Sequence, residues 1–144
     1  MKAIFTILIL ISNFLTSFSQ SAEVVGDYKL ILGAEGKNEL LEYKLTLSQD
    51  GTFLFHYYSN IKNGIPPIVN KYGKGKWTIE NNVVSFFSVK QIDSNEKFNL
   101  DFTNTKARFI TKSPRDKTDQ IVKTRLKFLK SDIVWMSRIE MLKI

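Results

Sequence analysis

The chain has 144 residues, a formal net charge of +7, one histidine and no cysteine. The missing thiols exclude disulfides, cysteine nucleophiles and a lipid carried on a cleavage-site cysteine, and a lone histidine makes a zinc centre of the usual ligand types a poor expectation. A domain of about 124 residues after processing is long enough to hold itself together by its core.

The chain opens with "MKAIFTILILISNFLTSFSQ". Lys2, an apolar run from Ala3 to Ile11, and small residues at Ser17 and Ser19 are the layout of a secretory signal peptide covering residues 1–19. Ser12 and Asn13 break the run well short of the ~18 apolar residues expected of a membrane-spanning helix. Residues 20–144 then form one domain, periplasmic or secreted, with no transmembrane segment. Loss of Lys2 lowers the net charge by one and leaves the domain basic.

From there the pattern is short alternating strands separated by turn residues, which predicts an all-β sandwich or barrel. "VGDYKLIL" supplies a first strand near Gly26–Leu32. "YKLTLSQDGTFLFHYY" reads as a hairpin, with Gly51 free to take positive φ in a type I turn closed by a bulge. That register sets Leu47 against Phe53, Leu45 against Phe55 and Tyr43 against Tyr57. Lys44 and His56 then face outward together, so His56 is expected to be a surface residue and not a catalytic base.

Residues Ser59–Gly73 read as a long connection, a candidate lid with an apolar Ile65-Pro66-Pro67-Ile68 tip. "GKWTIENNVVSFF" is a second hairpin: Asn81 and Asn82 suit a two-residue type I′ turn, pairing Ile79 with Val84 and Trp77 with Phe86. A third hairpin is expected in "KFNLDFTNTKARFIT", with Phe98, Leu100 and Phe102 sharing a face with Ala107 and Phe109. After a second long loop at Thr111–Gln120 comes "KTRLKFLKSDIVWMS", a fourth hairpin turning at Ser131-Asp132, with a bulge where Phe128 and Leu129 adjoin. Some eight to nine strands joined by tight turns favour a single up-and-down antiparallel barrel, because closure removes exposed edges.

The inward positions carry no Asp, Glu, Lys, Arg or His, so general acid–base chemistry and a paired-carboxylate glycosidase are not expected inside the barrel. No glycine-rich phosphate loop or calcium loop appears. The expectation is a non-enzymatic protein without cofactor or metal. Its aromatic lining admits a filled core or a cavity for a small hydrophobic or amphipathic ligand, with Phe55, Tyr57, Trp77 and Phe86 as candidate wall residues.

A basic strip is the second candidate site. Arg108 and Lys112 on one strand, with Lys123, Arg125 and Lys127 on the next, would face outward and could dock an anionic envelope component. Nucleic acid is not an expected partner, since the strip lacks the interleaved aromatics that stack on bases.

The order of these signals resembles the lipocalin-like small barrels of exported bacterial proteins. The carriers are "GDY" at Gly26–Tyr28, "LSQDGTF" from Leu47 to Phe53, "GKWTIENNVVSF" from Gly75, and the closing "LKFLKSDIVWM". Tyr28 stands where true lipocalins usually have Trp. The resemblance implies a barrel and the binding of a small apolar molecule at its mouth, and it brings no catalytic residues.

Overall fold

The structure is a computed structural model and describes residues 21–34 and 36–144. The expected signal peptide lies outside the described residues. Nine strands form one sheet: β1 (Gly26–Gly33), β2 (Glu39–Leu47), β3 (Thr52–Ile61), β4 (Ile68–Glu80), β5 (Val83–Phe87), β6 (Phe98–Leu100), β7 (Thr105–Ile110), β8 (Arg125–Lys130) and β9 (Glu140–Lys143). Eight of them run β1-β2-β3-β4-β5-β7-β8-β9 around a closed antiparallel barrel, and β9 returns to pair with β1. β6 is an added strand, parallel to β4. The expected up-and-down barrel is therefore the observed architecture.

Turn chemistry fixes the first two registers. Gly51 takes φ 81°, Ser48 N–H donates to the Thr52 carbonyl at 2.9 Å, and the pairs Leu47–Phe53, Leu45–Phe55, Tyr43–Tyr57 and Lys44–His56 all form. Asp50 secures the turn by accepting from the Thr52 amide and hydroxyl at 2.9 and 2.6 Å. Asn81 and Asn82 adopt φ 49° and 60°, the left-handed pair that a type I′ turn requires, and Ile79 meets Val84 while Trp77 meets Phe86. These two turns mark the end of the barrel called the bottom here.

Three expectations need correction. First, residues 98–102 do not form a hairpin with β7, which pairs instead with β5 and β8. A register shift at Tyr72/Gly73 puts Phe98 opposite Tyr72 and Leu100 opposite Gly73. The shift splits the apolar alternation: Phe98 lies outside on Tyr72, while Leu100 and Phe102 turn inward. Gly73 allows this, since a Cβ there would come within 2.5 Å of the Phe102 ring.

Second, Ser59–Gly73 is not a long lid. β3 extends to Ile61 and β4 begins at Ile68, so only six residues connect them, with Ile65 fully exposed at the tip. Third, the segment after Ser131-Asp132 is not a strand. Residues 134–136 form a 3₁₀ turn that buries Met136, and the returning strand is β9, which alternation had not revealed. The bulge at Phe128/Leu129 is present: Ala107 faces Phe128 and Lys106 faces Lys130, leaving Leu129 unopposed and outward.

The inner faces meet in one core. Tyr43, Leu45, Leu47, Phe53, Phe55, Val84, Phe86, Ala107 and Phe109 are buried as the alternation predicts, joined by Leu126, Phe128, Met136 and Met141. At the bottom, a helical turn over residues 21–24 brings Val24 into the core, and the Tyr28 hydroxyl donates to the Val24 carbonyl at 2.5 Å. Burial raises the Tyr28 phenol well above its usual range, so it stays neutral and serves this bond.

Candidate functional site

The four candidate wall residues do not surround one open space. Phe55 and Phe86 are only 1% exposed. The Phe102 ring fills the space between them, 4.9 Å from Phe55 and 6.0 Å from Phe86 by centroid, and also packs 5.1 Å from Phe53. Trp77 sits near the bottom, where its indole N–H donates to the Ser48 carbonyl at 3.1 Å. Tyr57 is half-buried near the top, under Trp135 at 4.8 Å and beside Tyr43 at 5.1 Å.

Trp135 covers this aromatic group; its ring also lies 5.8 Å from Tyr43 and 6.1 Å from Phe55. Its role is not legible in the sequence, because "IVWM" suits a strand equally well. Phe102 is held at its backbone: Ser88 Oγ donates to the Lys74 carbonyl at 3.0 Å and accepts from the Phe102 amide at 3.1 Å. An apolar guest at mid-barrel would have to displace Phe102, and one entering from the top would have to displace Trp135.

The chain matches no family model, no curated protein and no solved structure.

On the outer surface, the predicted basic strip is partly assembled. Arg108 and Lys127 are direct cross-strand partners on β7 and β8, and Lys106 faces Lys130 one step above. All four are exposed. Arg125 also faces outward, where its Nε lies 2.9 Å from Glu140 Oε2 but off the hydrogen-bonding direction, so the contact is ionic. Glu140 also reaches Lys127 at 3.4 Å. Lys106, Arg108 and Lys130 form no ion pair among the described residues.

The other two expected members lie off the strip. β7 ends at Ile110, so Lys112 belongs to the following loop, where its ammonium donates to the Thr118 carbonyl at 2.5 Å. Lys123 precedes β8. The residues the sequence reading did not select, Lys106 and Lys130, complete the patch. The signal was available, since both belong to the outward set of their strands once the Leu129 bulge is counted.

A cleft of about 320 Å³ opens on the outer face of β2–β4 and is bordered by β6. The register builds it from two cross-strand rows: Lys44–His56–Tyr72–Phe98 and Thr46–Leu54–Lys74. His56 is outward, as expected. Its Nε2–H donates to Asn70 Oδ1 at 2.8 Å, and its ring stacks on Tyr72 with centroids 4.5 Å apart and planes 4° apart. Among the described residues no carboxylate is hydrogen-bonded to it, and its partner is the Asn70 amide, which is not the geometry of a hydrolytic triad. A further cleft of about 320 Å³ lies at the bottom, among Glu23, Thr111, Lys112 and Pro114. Among the described residues, no three His, Cys, Asp or Glu side chains converge as a metal site, and no helix is long and apolar enough to cross a membrane.

Proposed function

We propose that this chain is an exported, periplasmic or secreted, non-enzymatic binding protein of lipocalin-like type. Its barrel acts as a solid scaffold, and its outer β7–β8 face docks an anionic partner. The observation that carries this reading is the pairing of like charges. Lys106 faces Lys130 and Arg108 faces Lys127 directly across two hydrogen-bonded strands. Like charges in that position oppose folding, where an opposite pair would stabilise by roughly 0.2–1 kcal/mol. An array of polyanion charges relieves this repulsion on binding.

The filled centre supports the same reading over a ligand held inside, because Phe55 and Phe86 are spent on contacts with Phe102, and Tyr57 on Trp135. The lipocalin-like kinship and the export route belong to this proposal. The closed antiparallel meander and the four sequence elements support the first, and the pattern of residues 1–19 the second.

The test is retention of the mature protein on immobilised heparin, a polyanion, in a salt gradient. Retention should need raised salt for elution, as expected for exposed charges. Gln at Lys106, Arg108, Lys127 and Lys130 together should abolish retention without loss of fold. Equal retention of parent and quadruple variant would overturn the assignment. Native mass spectrometry of the exported protein tests the interior separately, since a tightly held apolar ligand would appear as added mass lost on denaturation.

A further inference from the structure

The cleft on β2–β4 has a composition that a solvated barrel face does not need. Outward positions of a strand are ordinarily polar. Here one row places Tyr72 and Phe98 side by side, centroids 5.9 Å apart at 63°, with His56 stacked on the far side of the tyrosine. Leu54, the third residue of β3, is also outward and 54% exposed.

Two ammonium groups stand over these rings. Lys97 Nζ lies 4.9 Å from the Tyr72 centroid and 5.6 Å from that of Phe98, and Lys74 Nζ lies 5.1 Å from Phe98. Neither lysine forms an ion pair among the described residues. Lys44 stands at the opposite end of the row and shares Glu42 with Lys29, at 3.3 and 2.6 Å. The cleft is thus apolar on its ring and leucine walls and positive at its rim.

We infer that this cleft is a binding site for a small planar aromatic anion, a fused-ring carboxylate or sulfonate. The volume of about 320 Å³ sits at the lower end of small-molecule sites and suits one or two fused rings. The flat body packs on Leu54 and the aromatic rings, and the anionic group reaches Lys97 or Lys44. Charge-assisted bonds of this kind are about twice as strong as neutral ones. The site is independent of the β7–β8 docking face, because β5 lies between the two.

The register shift at Tyr72/Gly73 is what creates the cleft. With regular alternation Phe98 would follow Leu100 and Phe102 to the inside, and the row would end at Tyr72. The shift that packs Phe102 in the core also sends Phe98 out as a wall.

The experiment titrates mature protein with 2-naphthoate, followed by calorimetry and by amide and aromatic shifts in NMR. The expected result is saturable 1:1 binding, with shifts at Leu54, His56, Tyr72 and Phe98. The uncharged 2-naphthamide should bind about tenfold more weakly, the loss of one charge-assisted bond. Lys97→Gln should weaken naphthoate by a similar factor, and Phe98→Ala should do so without affecting heparin retention. The Lys106→Gln/Arg108→Gln double variant should bind naphthoate as the parent does. No saturable binding, equal affinity for acid and amide, or shifts confined to Phe55, Phe86 and Trp135 would each overturn the inference. A parent protein that binds naphthoate but is not retained on heparin would count against the β7–β8 proposal only.

Discussion

Replacing Phe102 by Ala tests whether the barrel is held up by its own filling. The ring is fully buried and touches Phe53, Phe55 and Phe86. Burying such a side chain is worth about 1.5–3 kcal/mol, and each aromatic contact adds about 0.5–1.5 kcal/mol beyond burial. The eight strands around it are bonded edge to edge, so they cannot close on the void, and a cavity term is added to the loss of burial. The expected cost is in the upper half of the 3–5 kcal/mol typical of Phe→Ala, out of a total of about 5–15 kcal/mol for a domain. Urea unfolding followed by the fluorescence of Trp77 and Trp135 measures it, with an unchanged slope confirming that only stability has moved. Benzene should recover part of the loss, because an apolar cavity of that kind stays dry and takes an apolar guest. Phe102→Leu, with a smaller void, should fall by less. A loss under about 1 kcal/mol, with no effect of benzene, would mean the interior already has room, and the solid-barrel reasoning would fail.

Further outcomes follow from single contacts. Gly73→Ala drives a methyl into the Phe102 ring and should cost about 1–3 kcal/mol in urea unfolding, with partial recovery when Phe102 is also Leu. Lys106→Glu turns a like pair into an opposite pair with Lys130, and should raise stability by up to about 1 kcal/mol while lowering heparin retention. The Glu42 carboxyl is held below the usual carboxylate range by its hydrogen bond from Lys29, which outweighs the opposing effect of desolvation, and Lys44 adds to the lowering. A depressed folded value contributes stability that is present above the unfolded carboxylate range and lost as pH falls through the folded value. Glu42→Gln should therefore cost under about 1 kcal/mol near neutrality, given the partial exposure of the pair, and nothing in strong acid. A cost independent of pH would contradict the ion-pair account.

Where turn residues dictate geometry, the fold could be read from sequence. Gly51 and the Asn81-Asn82 pair fixed two hairpins to the residue, and the adjacent Phe128 and Leu129 announced a bulge that is present. The reading failed where one apolar pattern fits two structures. "KFNLDF" alternates like an inward strand, and nothing local to it reports the shift at Tyr72/Gly73, which depends on β4. "IVWM" is a short apolar run that suits a strand or a tight turn, and the burial of its Met136 and the packing of its Trp135 on Tyr43 and Tyr57, with Val134 left exposed, are tertiary outcomes.

The same division holds for the candidate sites. Arg108, Arg125 and Lys127 were legible as outward charges, whereas Lys112 and Lys123 fell outside strands that end sooner than alternation suggested. The cleft residues Tyr72, Lys97 and Phe98 become neighbours only through β6, so no spacing in the sequence could have grouped them.

The most direct test of the docking surface is an amide chemical-shift titration of the mature protein with a short heparin fragment. Salt-sensitive shifts are expected at Lys106, Arg108, Lys127 and Lys130, with Phe55, Phe86, Phe102 and Trp135 unmoved. Shifts centred on those interior aromatics, or none along β7 and β8, would contradict the docking assignment.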